Sequence, residues 1–118
     1  MDKAYKTFED LRIWQEARQL VTFVYSSTKS VIDRDFRSQM RRASLSVMNN
    51  IAEGHESHST KTMANYLLIA KGSCGEVRSL FYAGFDLGYF SQDTFTKGLD
   101  DSRKLSRMIA SYSKIFKH

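Results

Sequence analysis

The sequence predicts an all-α protein, a single antiparallel four-helix bundle running up-down-up-down. Three observations carry this. Apolar residues recur at steps of three and four along four long segments, the spacing of a helix face. The chain of 118 residues has no proline and only six glycines, which suits uninterrupted helices and is rare in turn-rich β folds. The segments are joined by short polar connections, which make consecutive helices antiparallel neighbours. Hydrophobic residues at 42% and aromatics at 13% support one self-sufficient core over residues 1–118 and argue against disorder.

The first helix is expected over about residues 8–28. Thr7 is its expected N-cap, and Glu9 and Asp10 suit the positive end of the helix dipole. Its apolar residues form two rows. Ile13, Ala17, Leu20 and Val24 make one, and Leu11, Trp14, Val21 and Tyr25 make the other. Together they cover an arc of about 150°, wider than the roughly 100° a surface helix needs. One row faces the core, and the second is the expected oligomer interface.

The second helix is expected over 34–53. Asp33 and Asp35 open it, and Gly54 supplies a left-handed residue that commonly ends a helix. At about 100° per residue, it presents three surfaces. Phe36, Met40, Ala43 and Val47 form a core stripe, and Arg34, Arg37 and Arg41 form a basic row. A polar band of Gln39, Arg42, Ser46, Asn50 and Glu53 runs between them. Half-buried amides and carboxylates are costly unpaired. The band is therefore read as a hydrogen-bonded seam to the third helix, with Ser73 and Glu76 as partners.

His55 to Ser59 reads as a polar loop, with Ser57 or Ser59 capping a third helix over 60–87. Met63, Leu67, Ala70, Cys74, Val77 and Phe81 alternate steps of four and three, the periodicity of a bundle core. Gly72 and Gly75 interrupt that helix at about 1 kcal/mol each, most simply to let another helix come close. Gly88 ends it. Phe90, Ser91 and Phe95 then read as a staple around a serine cap, opening a fourth helix over 92–116. Arg103, Lys104, Arg107 and Lys114 lie on its polar side.

The net charge of +5 permits an anionic partner. The one cysteine, Cys74, excludes an internal disulfide and fits a reducing cytoplasm. No apolar run approaches the roughly 20 residues of a membrane span, and the opening MDKAYKTFED has no signal-peptide core. Glu53, His55, Glu56 and His58 could ligate zinc but read as solvated loop residues. No metal or cofactor is expected. The Ser46/Asn50/Glu53 band lacks a nucleophile–base pair, so no enzyme is expected either.

The stretch RRASLSVMNNIAEG, Arg41 to Gly54, resembles the signature of the bacterial family of 23S rRNA-intervening sequence proteins. FEDLRIWQEARQLV from Phe8, IAKGSCGEV around Gly72 and LGY at Leu87 to Tyr89 match it too, in order along almost the whole chain. The chain departs from the pattern after Gly54, where His55-Glu56-Ser57-His58 stands for an aromatic, a glycine and an arginine. It departs again at Cys74 and Gly75. The resemblance implies closed rings of subunits, homopentamers, with no enzymatic activity. Genes of the family lie in insertions within large-subunit rRNA genes and elsewhere. A distantly similar protein, the accessory factor of diversity-generating retroelements, is a basic ring that binds a reverse transcriptase and nucleic acid.

The expected function is therefore a cytoplasmic, non-enzymatic, oligomeric basic scaffold. It would bind nucleic acid backbone or a nucleic-acid-processing protein through Arg34, Arg37, Arg41, Arg103, Lys104 and Arg107. The alternative is a purely structural protein-interaction oligomer. Neither involves a membrane.

Overall fold

The computed structural model describes residues 7–116. Residues 1–6, part of the segment read above as no signal peptide, and residues 117–118 lie outside them. Four helices, α1 (Arg12–Ser27), α2 (Arg34–Glu56), α3 (Thr60–Asp86) and α4 (Gln92–Ser113), form a body of 45 × 21 × 20 Å. Each helix touches its sequence neighbours and α4 closes on α1, while the backbones of the diagonal pairs stay apart and only side chains such as Phe23 and Phe81 meet across the core. The order is antiparallel. Contacts between α1 and α4 run from Glu16–Lys104 to Phe23–Lys97, descending one helix while climbing the other. The α2–α3 interface is the largest and the α1–α4 interface the smallest.

Helix starts follow local chemistry. The side chains of Asp33, Ser59 and Ser91 accept hydrogen bonds from the backbone N–H of Phe36, Thr62 and Thr94, at 3.1, 3.2 and 3.2 Å. Each satisfies one orphan donor of a first turn. α1 differs from the sequence expectation. Thr7 makes no side-chain cap; Phe8–Asp10 form a 3-10 turn, and α1 begins after an extended Leu11. Phe90 and Phe95 do not stack on each other. Phe90 turns inward to Phe81 and Phe36, while Phe95 packs on Phe85 and Tyr82.

α2 does not stop at Gly54. It continues to Glu56, and His58 takes the left-handed conformation (φ 54°), which histidine tolerates better than most residues. Gly54 is small for another reason. A Cβ there would sit 2.8 Å from Met63 Sδ and 2.9 Å from Tyr66 Cβ, so it lets α2 and α3 close together. Extending the helix also moves His55 out of the loop and into the core. It is 1% exposed, and neither ring nitrogen has a partner among the described residues. A buried unpaired polar group costs about 1–3 kcal/mol.

α3 ends in a Schellman arrangement. Gly88 (φ 78°) donates to Phe85 O at 3.0 Å and Tyr89 N to Gly84 O at 2.8 Å. This turn aims the Tyr89 hydroxyl at Asp33 Oδ2, 2.9 Å away, which ties the α3–α4 connection to the start of α2. The Phe36 N–H and then the Tyr89 hydroxyl hold the Asp33 carboxyl below its ordinary value. A depressed carboxylate stabilises the fold above its unfolded value and loses that contribution as pH falls through its folded value. Tyr89→Phe removes the second of these donors. The Asp33 titration, followed by NMR, moves up toward the ordinary carboxylate range, and acid unfolding begins at a higher pH.

The core row of α3 is fully buried, and at its C-terminal end Phe81 packs against Phe23, Phe90 and Gly98. Cys74 lies in the same row, and burial pushes its thiol above the usual range. Gly72 and Gly75 behave differently from the expectation: nothing lies within 4 Å of a Cβ built on either. They sit on the outer side of α3, so no helix of this subunit approaches them.

Candidate nucleic-acid interface

The basic row of α2 is built where α1 turns into α2. Arg37 Nη1 donates to Val31 O at 2.6 Å. Arg41 Nε donates to the Thr28 hydroxyl at 2.9 Å, and its Nη2 donates to Tyr25 O at 3.2 Å. Its guanidinium lies 4.5 Å from the centre of the Tyr25 ring. Both arginines thus hold carbonyls that the end of α1 and the following turn leave unsatisfied, where cations are favoured. Arg34 and Arg42 are exposed, and neither makes a hydrogen bond or ion pair among the described residues. All four surround one open groove of about 530 Å³ with Tyr25 and Ser38, and Asp35 is its one acid.

The basic residues of α4 do not join this groove. Arg103 Nη2 donates to the Tyr82 hydroxyl on α3 at 2.9 Å. Lys104 points the other way, to Glu16 of α1 at 3.4 Å, an exposed pair worth no more than about 1 kcal/mol. Arg107 is exposed and without such a partner among the described residues. α2 and α4 are diagonal in the bundle, so the two rows form separate surfaces.

The polar band divides. Ser46 and Ser73 share a hydrogen bond of 2.8 Å between α2 and α3, and Asn50 Nδ2 donates to Ser46 O and Oγ at 2.8 and 3.0 Å. Gln39, Arg42, Glu53 and Glu76 are exposed at its margins. A second open groove of about 510 Å³ reaches Ser46 and Ser73 but is not lined by Asn50 or Glu53.

The second apolar row of α1 divides as well. Leu11 is 1% exposed and Trp14 is buried, edge-on to Phe8 at 5.1 Å. The subunit's own core takes both, because the 3-10 turn folds back over the start of α1. Both are covered largely within the subunit. Val21 stays half-buried and Tyr25 is 36% exposed. With Leu45 they line a third, mostly apolar groove of about 510 Å³, which shares Tyr25 and Arg41 with the arginine groove. Among the described residues no cluster of metal-capable side chains forms. No helix there is long and apolar enough to cross a membrane.

Helix-wheel reasoning assigned Arg42 to the polar band and missed it as a free cation of the groove. It also missed Tyr25 as the surface on which Arg41 lies. The signal was present in part: Arg41-Arg42 are adjacent, so they flank the same edge of α2.

No match was found among curated proteins. A solved structure from Bacteroides thetaiotaomicron VPI-5482, described as a protein of unknown function from the S23 ribosomal protein family, has the same fold. It superposes with a TM-score of 0.80 at 17% identity, covering 86% of this chain and 95% of that one. The sequence pattern of the 23S rRNA-intervening sequence proteins matches residues 9–111. With the four-helix architecture and nearly the full length accounted for, the chain belongs to the 23S rRNA-intervening sequence protein family.

Proposed function

We propose that this protein is a non-enzymatic scaffold that self-associates into a ring, a homopentamer, and binds the backbone of nucleic acid or a nucleic-acid-processing protein. One observation carries the reading: four arginines surround a single open groove whose lining holds one acid. Two of them are already fixed by the α1–α2 turn and two are free. Arginine suits phosphate because its planar fork makes paired hydrogen bonds. A ring would repeat the groove around an axis, and phosphate contacts add through counterion release. The groove offers no helix or ribbon shaped for a DNA groove, so the binding tolerates sequence.

The test is binding of short RNA and DNA by fluorescence anisotropy at several salt concentrations. Arg34→Ala with Arg42→Ala leaves the fold intact and weakens binding at least about tenfold at low salt. Each lost phosphate contact lowers the salt slope by about one. Unchanged affinity would contradict the reading.

A second reading, a purely protein-interaction oligomer, is favoured by the outer side of α3. There Leu68 is 72% exposed beside Ile69, near Gly72 and Gly75. That reading predicts partner binding that survives high salt, whereas phosphate-driven binding falls steeply.

A further inference from the structure

We infer that the groove on α2 is built for single-stranded nucleic acid and that Tyr25 and Arg41 form its base-stacking platform, an inference that rests on the nucleic-acid reading above. Three features of the site point to this. First, the Tyr25 ring and the Arg41 guanidinium are stacked at 4.5 Å, and Arg41 is held by hydrogen bonds to Thr28 and Tyr25 O. The platform is therefore ordered before any ligand arrives. Both aromatic rings and guanidinium planes stack on unpaired bases.

Second, this platform is the shared wall of two grooves of opposite character. On one side lie Arg34, Arg37 and Arg42 with Ser38. On the other lie Val21 and Leu45, which give that groove a mostly apolar surface bordered by Thr22, Ser26 and Lys29. A single strand has this same division, with charged phosphates along one edge and apolar base faces along the other. A duplex turns its bases inward and presents phosphates on its outside, so it would use the arginines and leave the apolar groove open to water.

Third, the charge complements a polyanion. Arg34, Arg37, Arg41 and Arg42 stand against Asp35 alone, and Lys29 lies at the rim of the apolar groove. An acidic amphipathic peptide would meet the same charges, but it has no need of a preformed guanidinium–ring pair, and its binding is measured beside that of the nucleic acids.

The probes are a labelled single strand of about 12 nucleotides, within the usual footprint of single-strand sites; the matching duplex; an abasic strand with the same number of phosphates; and an acidic amphipathic peptide. The salt is held at about 50 mM. The expected order is single strand tighter than abasic strand and tighter than duplex, each by about tenfold, which is the low end for loss of one stacked base. Tyr25→Leu lowers single-strand affinity about tenfold and leaves the abasic strand unchanged, while Tyr25→Phe keeps single-strand affinity. If Tyr25→Leu fails to fold, the wild-type comparison of single strand with abasic strand decides alone.

Equal affinity for all three nucleic acids would overturn the platform and leave the backbone-binding function standing. Binding to none of them, or to the acidic peptide only, would overturn both.

Discussion

Gly98→Ala lowers the unfolding free energy by about 2 kcal/mol in chemical denaturation. A Cβ at position 98 would lie 2.5–2.6 Å from three carbons of the Phe81 ring. Phe81 is fully buried and held by Phe23 and Phe90 at centroid distances of 5.9 and 5.4 Å, so the ring has nowhere to go. Overpacking of this kind costs about 1–3 kcal/mol, here the upper end because the ring is boxed in, and the higher helix propensity of alanine returns about 1, which leaves about 2. Gly84→Ala behaves alike, since its Cβ would overlap Cε2 and Cδ2 of the Phe90 ring and lie 2.9 Å from Phe36 Cζ. Gly72→Ala and Gly75→Ala have the opposite sign. With nothing near their added methyl groups, each stabilises an isolated subunit by about 1 kcal/mol. Were all four substitutions to destabilise equally, the packing described for α3 and α4 would be wrong.

Arg41→Ala costs a further 2 kcal/mol or so, by the same measurement, although the residue reads from sequence as one of a row of interchangeable surface cations. It removes two charge-assisted hydrogen bonds, to Thr28 Oγ1 and Tyr25 O, and the guanidinium stack on Tyr25. Such bonds contribute about 1.5–3 kcal/mol each when sheltered and less when half-exposed. Arg34→Ala, two turns earlier on the same face, changes stability by less than about 0.5 kcal/mol, because its side chain has no partner among the described residues. The pair differs in structural weight: Arg41 holds the turn as well as lining the groove, and Arg34 lines the groove alone. Arg41→Lys recovers only part of the loss, since an ammonium has no planar fork to span two acceptors or lie flat on a ring.

The contrast shows what the sequence could carry. The four helices were legible because the apolar period is long and uninterrupted; the Met63-to-Phe81 row of α3 is buried at every position. Helix ends were less so. Gly54 has the composition of a terminator, yet the demand it meets is tertiary: room for Met63 and Tyr66. A glycine chosen for close packing and one chosen for a left-handed turn look identical in one dimension, and Gly88 is the turn. Likewise Gly72 and Gly75 draw attention by interrupting α3, while the close approaches inside the subunit fall at Gly54, Gly84 and Gly98.

The groove was harder to read for a related reason. A helix wheel reports direction around one axis. It does not report that Arg41 reaches back to the carbonyls at the end of α1, or that Arg42 stays free beside it. Leu11 and Trp14 share a periodic row with Val21 and Tyr25, but a 3-10 turn absent from any periodicity covers the first pair and leaves the second accessible. In one dimension His55 reads as loop because a glycine precedes it. One misplaced helix end changed a solvated histidine into a core residue.

A self-associating basic scaffold that binds nucleic acid through its arginine groove has a mass that responds to both ligand and salt. Solution mass by light scattering, at about 50 and 500 mM salt, with and without a mixed pool of short RNA and DNA, tests it most directly. The expected result is one oligomer at both salts, with the mass of five subunits, that gains bound nucleic acid only at the lower salt. An oligomer that ignores nucleic acid at both salts, or a monomer, would contradict it.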